Sequence, residues 1–309
     1  MLSVNNIRHP KEETYYGIML FVSIVVYIIL ALPILSLVFG SILPFGYLIR
    51  VIGLMFSGVI ILILQIALII AIFMWWSSIR FKAHIFGHSV NVNANQYPEI
   101  YKIAQNQAQQ LGIMLPRIFI INDRETNAFA TKVFRGKYIL LNSGIVDALL
   151  STDRTKELES IIGHELGHHA AGHLSTFKRI LLFPGKLIPF VGSAYSRACE
   201  LTCDRIGFML CGDCEASQRG LFALALGSSR LLKDGNMNAF VAQENEIPDI
   251  AAFFNKLYAS HPRTTVRIRE IARYSKTGRH SQFEHSGNLN SIPHQQPIVN
   301  EISNDDLFS

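Results

Sequence analysis

No charged side chain occurs between Glu13 and Arg50, and none between Arg50 and Arg80. An ionised group at the centre of a bilayer costs on the order of 3 kcal/mol, whereas helices on the surface of soluble proteins alternate polar and apolar faces. A membrane-spanning helix needs about 20 apolar residues, and residues 16–39 and 51–76 each supply them. Tyr15, Tyr16, Trp75 and Trp76 stand where aromatic belts form. Gly40, Pro44 and Gly46 suit a short connection, so an antiparallel transmembrane hairpin is expected. A cleaved leader fits less well: the first run is too long, Glu12 and Glu13 precede it, and a second run follows at once.

Arg8 and Lys11 precede the hairpin, Arg80 and Lys82 follow it, and Arg50 lies between the runs. The excess of basic residues outside the loop predicts that both ends, and the domain that follows, face the cytoplasm. With 50% hydrophobic and 17% charged residues, the composition excludes a disordered chain. The net charge of +5 comes without a long Lys/Arg run, so no nucleic-acid partner is expected. The four cysteines all lie between Cys199 and Cys214, unlike a secreted disulfide framework.

After Lys82 the patterning becomes that of a water-soluble domain. Ile100, Ile103, Ala104, Ala108 and Leu111 have helical spacing over 97–112, ended by Gly112. Residues 117–121 read as a strand. Residues 127–134 and 138–141, flanking Arg135-Gly136-Lys137, read as a β-hairpin. Helices are expected over 152–172, 195–212, 215–232 and 263–273, followed by a polar, flexible tail from 275. The stretch 180–195 contains Pro184, Gly185, Lys186 and Pro189, too broken to cross a bilayer. It is expected to lie at the membrane surface or over the cleft.

The 152–172 helix carries His164-Glu165-Leu166-Gly167-His168. Positions four apart are rotated by about 400°, so both imidazoles share one face and can reach one ion. Glu165, beside the first histidine, can take a proton from activated water without itself being a ligand. A catalytic zinc keeps three protein ligands and one open position. Glu200 is the best third ligand. Asp204, one turn further on, would accept a hydrogen bond from a ligand histidine and hold its ring. His169 and His173 compete for the third position: His169 points about 100° away from His168, and His173 lies beyond Gly172.

His164-Glu-Leu-Gly-His168 followed by Glu200-x-x-x-Asp204, within S-R-x-x-E-x-x-x-D-R-x-G, resembles metallopeptidase family 48, which includes membrane-bound HtpX-type proteases and the CAAX prenyl endopeptidases. Asn127-Ala128-Phe129-Ala130 is similar to the family's N-A-F-A segment. Ser260-His261-Pro262 with Arg267 and Ile268 is similar to its S-H-P-P-x-x-x-R-I segment, with Arg263 in place of the second proline. The match runs from about residue 95 to 273. The resemblance implies an α+β, mostly helical, gluzincin-like zinc-peptidase domain with a small β-sheet, preceded by the two-helix hairpin. It implies His164, His168 and Glu200 as ligands of one Zn2+ per chain and Glu165 as general base. Asn127 and His261 would contact substrate or the oxyanion, with Ala128, Phe129 and Ala130 beside them on an edge strand and Asp204 and Arg267 behind the ligands. Prenyl-peptide processing is disfavoured, because this chain lacks the spans to enclose a chamber.

The expected division is therefore an N-terminal cytoplasmic segment (1–14), a transmembrane hairpin (15–80), a zinc metallopeptidase domain (81–274) and a tail (275–309). The expected function is an integral-membrane zinc endopeptidase acting on polypeptides, misfolded membrane proteins among them. A non-catalytic zinc-containing membrane regulator is the alternative from another class, and a zinc hydrolase of non-peptide substrates a third. Cys199, Cys203, Cys211 and Cys214 are read as packing thiols, with a second zinc site the lesser alternative.

Overall fold

The computed structural model describes residues 1–39, 46–122, 128–133, 136–188 and 190–277. Two N-terminal helices, α1 (Val4–Ile7) and α2 (Pro10–Phe39), lead into α3 (Gly46–His88). Then come β1 (Ser89–Val92), α4 (Pro98–Leu111), β2 (Arg117–Ile121), β3 (Ala128–Val133), β4 (Gly136–Asn142) and α5 (Ser143–Leu150). The later described elements are helical: α6 (Thr155–Ala170), α7 (Thr176–Leu181), α8 (Phe183–Lys186), α9 (Val191–Cys211), α10 (Cys214–Leu226), α11 (Ser229–Asp234), α12 (Met237–Ala242), a 3-10 turn (Gln243–Glu246), α13 (Asp249–Tyr258) and α14 (Thr264–Ser275). The described residues are mostly helical, with one small mixed sheet.

The sheet order is β1-β2-β4-β3, antiparallel at both outer pairs and parallel between β2 and β4. Both of its faces are covered, which is why β2 and β4 read as continuous apolar runs instead of alternating. Ile118, Ile120, Ile139 and Leu141 join the main core with Ile100 of α4 and Ile161 and Ile162 of α6. Phe119, Tyr138 and Leu140 face the other way, onto Ile85 of α3. Each such buried side chain contributes roughly 1.5–3 kcal/mol relative to exposure.

Several boundaries differ from the sequence reading for local reasons. The 152–172 helix starts at Thr155, because Asp153 is in the left-handed region at φ 54°. The helix read over 215–232 breaks at Gly227 (φ 67°) into α10 and α11. Strand β1, helix α5 and the helices over 237–258 were not anticipated; β1 is four residues long and carries too little pattern to read.

α2 and α3 pack against each other, and each contains a stretch long and apolar enough to cross a membrane, 10–32 and 61–88. None of the window in α3 is buried within the protein; an apolar surface of that extent needs another cover. Both helices outrun the apolar runs, and Gly46 opens α3 where a connection was expected. Gly40 and Pro44 lie outside the described residues. The last turns of α3 leave the apolar stretch and rest on the sheet through Ile85. Within residues 1–14, Ile7, His9 and Glu12 are buried, and α2 packs on α8 and α9. Most of the tail, 278–309, lies outside the described residues.

Candidate active site

Helices α6 and α9 approach unusually closely. A Cβ added at Gly207 would stand 2.5 Å from the Ser160 carbonyl oxygen, and one at Gly163 would stand 3.1 Å from Gly207 Cα. Small residues at this crossing let the backbones meet, so His164 and His168 on α6 face Glu200 on α9. His164 Nε2 lies 3.4 Å from Glu200 Oε2, and His168 Nε2 lies 3.4 Å from Glu200 Oε1. Tetrahedral coordination with bonds of about 2.0–2.1 Å separates neighbouring donor atoms by about 3.3–3.4 Å. The two imidazoles and the carboxylate thus have the spacing and chemistry to hold a metal ion.

The partners of these groups agree with that use. His164 Nδ1 lies 2.9 Å from Asp204 Oδ1. Arg267 of α14 clamps the same carboxylate, Nη2 donating to Oδ1 at 2.6 Å and Nε to Oδ2 at 2.9 Å. With an Nδ1 proton on Asp204, His164 presents Nε2 toward Glu200, where its lone pair would serve a metal ion. Despite burial, the Asp204 and Glu200 carboxylates push the His164 pKa up to about 10; a divalent cation would take the place of that proton. Burial drops His168 to about 3, leaving it a neutral donor. Glu200 stays well below the usual carboxylate range in spite of burial, held ionised by His164 and His261.

Glu165 is buried beside this cluster, and burial raises its pKa to about 7. Among the described residues its Oε2 has no hydrogen-bond partner. The carboxyl also accepts from the Ala130 backbone, so the free Oε2 is the proton acceptor it offers in the position a general base needs. A cleft of about 630 Å³ opens over these groups, with Ala128, Phe129 and Ala130 of β3 on one wall and His261 and Arg267 on the other. β3 is a sheet edge. His261 is 67% exposed, and its Nδ1 lies 3.2 Å from Glu200 Oε2. Asn127 lies outside the described residues. Arg263, standing for a proline, precedes α14 and pairs with Glu244.

The competing histidines go elsewhere. His169 Nε2 faces the Tyr138 carbonyl at 3.1 Å, on the sheet side of α6. His173 meets His168 through Nδ1, not through the Nε2 that faces Glu200. All four cysteines are free thiols, Cys211 beside Ser217 and Cys214 beside Ser275. Cys199 and Cys203 are buried near His173 and do appear in further His/Cys/Glu groupings. The sequence reading missed Glu12, whose Oε1 lies 3.1 Å from His173 Nε2 and whose Oε2 accepts from Thr202 Oγ1 at 2.6 Å. A glutamate in the first turn of an apolar helix was the available signal, and it served there only as evidence against a leader peptide.

A chloroplast protein of Arabidopsis thaliana, the plastoglobule-localized metallopeptidase 48, is 26% identical over 213 residues, 62% of this chain and 61% of that protein. A protease HtpX homologue of Paraburkholderia phytofirmans is 25% identical over 258 residues, covering 70% of this chain and 89% of the relative. The crystal structure of Ste24p from S. mikatae aligns with a TM-score of 0.45 at 17% identity, covering 80% of this chain and 67% of that one. The model of peptidase family M48 matches residues 94–184 and 177–275, more than half of the sequence and the whole of the cleft. The chain belongs to peptidase family M48.

Proposed function

We propose that this protein is a membrane-anchored, zinc-dependent endopeptidase of the gluzincin type, with one Zn2+ held by His164, His168 and Glu200. What carries the assignment is the convergence of both Nε2 atoms on the Glu200 carboxylate at 3.4 Å, with an unengaged Glu165 oxygen buried beside them. Zinc, when bound, supplies a Lewis acid that lowers the pKa of water and polarises a peptide carbonyl.

The remaining work falls to the chain's own groups. Glu165 takes a proton from the attacking water and delivers it to the departing amine. His261 stands at the cleft wall with Nδ1 on Glu200, leaving Nε2 to donate to the oxyanion that develops as the carbonyl is attacked. Edge strand β3 offers backbone groups to an extended peptide through Ala128, Phe129 and Ala130, so main chain is gripped with little demand on sequence. The family resemblance implies that Asn127 would contact the substrate or the oxyanion. Asp204 and Arg267 hold His164 in its tautomer and orientation.

α2 and α3 would cross the bilayer, with the catalytic domain in the cytoplasm. Exposed Phe177, Ile180, Phe183 and Leu187 on and after α7 and α8 flank α2, and Tyr27 of α2 donates to the Ile180 carbonyl at 2.5 Å. The 176–187 segment would thus lie in the membrane boundary. Its substrates would be unfolded or misfolded polypeptides, membrane proteins included. The deciding experiment compares purified full-length protein with its Glu165→Gln variant, measuring zinc content and casein digestion with and without a chelator. Equal zinc content and loss of digestion in the variant is expected; unchanged digestion would overturn the mechanism.

A further inference from the structure

His164 and His168 are buttressed by different means. His164 Nδ1 reaches the Asp204 carboxylate directly. Among the described residues no carboxylate meets His168 Nδ1; it faces His173 Nδ1 at 3.1 Å, and His173 Nε2 faces Glu12 Oε1 at 3.1 Å. Two imidazole nitrogens at that distance share one proton, so one donates and the other accepts. To turn an Nε2 lone pair toward Glu200, His168 must carry its proton on Nδ1. His173 then accepts at Nδ1 and carries its own proton on Nε2, aimed at Glu12. The line ends on a group that is itself fixed. Glu12 is 1% exposed, accepts from Thr202 Oγ1 at 2.6 Å, and pairs with Arg8.

We infer that Glu12 and His173 are positioning residues for the zinc ligand His168, so the first turn of the first apolar helix is part of the metal centre. The inference rests on the zinc reading above. It gives both ligand histidines a carboxylate behind them, Asp204 at first remove and Glu12 at second. It also settles the use of His173 among the groupings it shares with Cys199 and Cys203. A ring that accepts from His168 at Nδ1 and donates to Glu12 at Nε2 has no lone pair left for a second ion. The anchor and the catalytic domain are then one unit: a fragment beginning after α3 would keep all three ligands and still hold zinc poorly.

The test uses full-length protein in detergent micelles, stripped of metal and titrated with zinc against a chromogenic chelator. Glu12→Gln and His173→Gln should each weaken zinc binding by about 10–100-fold, the usual cost of removing a group behind a ligand. Thr202→Val should fall between them and wild type, and Glu13→Gln, at an exposed neighbour, should match wild type. With cobalt in place of zinc, the visible absorption bands should shift in Glu12→Gln and not in Glu13→Gln. Apo melting temperature is recorded throughout, and should Glu12→Gln not fold, His173→Gln decides. Zinc affinity within twofold of wild type in a folded Glu12→Gln or His173→Gln variant would overturn the relay and leave the zinc reading intact. Wild-type protein that binds no zinc would overturn the parent reading instead.

Discussion

Gly207 of α9 meets Ser160 of α6 so closely that a single added methyl would stand 2.5 Å from a backbone oxygen. That contact sets the separation of the two helices that carry the candidate ligands, and through it the distance from His164 to Glu200. Gly207→Ala should therefore push α9 outward. Overpacking of this kind costs about 1–3 kcal/mol. The expected result is a lower melting temperature with weaker zinc binding, read by calorimetry and chelator competition; a variant with native zinc affinity would show that the crossing does not govern the site.

Asp204→Asn keeps the shape of the group behind His164 and removes its charge and its clamp on Arg267. About 10–100-fold weaker zinc binding is expected, with Arg267→Lys losing less, since the lysine keeps a cation near Asp204 without the two-pronged geometry. Competition titrations on both variants check the order.

Glu165 connects activity and stability to pH in opposite senses. As a base it must be ionised, so kcat/KM should fall as pH drops through about 7 or somewhat lower, because a bound dication lowers the carboxyl pKa further. In the apoprotein the same raised pKa costs stability once pH climbs. The folded chain keeps its proton up to about 7, whereas the unfolded chain ionises near 4.5. Stability from this group is full below 4.5 and is lost as pH rises through about 7. Glu165→Gln removes a penalty on the order of 3 kcal/mol, so the metal-free variant should melt above wild type at pH 8 and level with it at pH 4.5.

His261 is raised above its ordinary range by its hydrogen bond to Glu200. In its protonated form it donates from both ring nitrogens, and that second donor is lost as pH rises through the raised value. His261→Ala should keep its zinc, lower kcat by about 10²–10³-fold and change KM little. Steady-state kinetics on a peptide substrate separates this from a role in ground-state binding, which would move KM instead.

Trp75 and Trp76 are the two tryptophans of the chain, and both are more than half exposed near the end of the apolar run of α3. In liposomes their emission should be blue-shifted and quenched most by lipids brominated close to the headgroup. Water-like emission insensitive to brominated lipid would contradict the placement of α3 across the bilayer.

The uncharged runs, the histidine pair one turn apart and the glutamate beside the first of them could be read locally. Each rests on periodicity or length within one segment, and a helix turns neighbouring positions into a face without help from the rest of the chain. Glu200 and Asp204 are legible as a pair for the same reason, and the need of a catalytic zinc for a third ligand makes Glu200 the best candidate, with the family likeness adding to that reading. What folding in three dimensions decided was the remainder: that glycines at the α6–α9 crossing bring those pairs together, that His169 turns to the sheet while His173 turns to His168, and that Glu12 reaches His173 across 161 positions of the chain. Such contacts join segments with no common period, so their partners are chosen by packing and by the demand of buried polar groups for satisfaction.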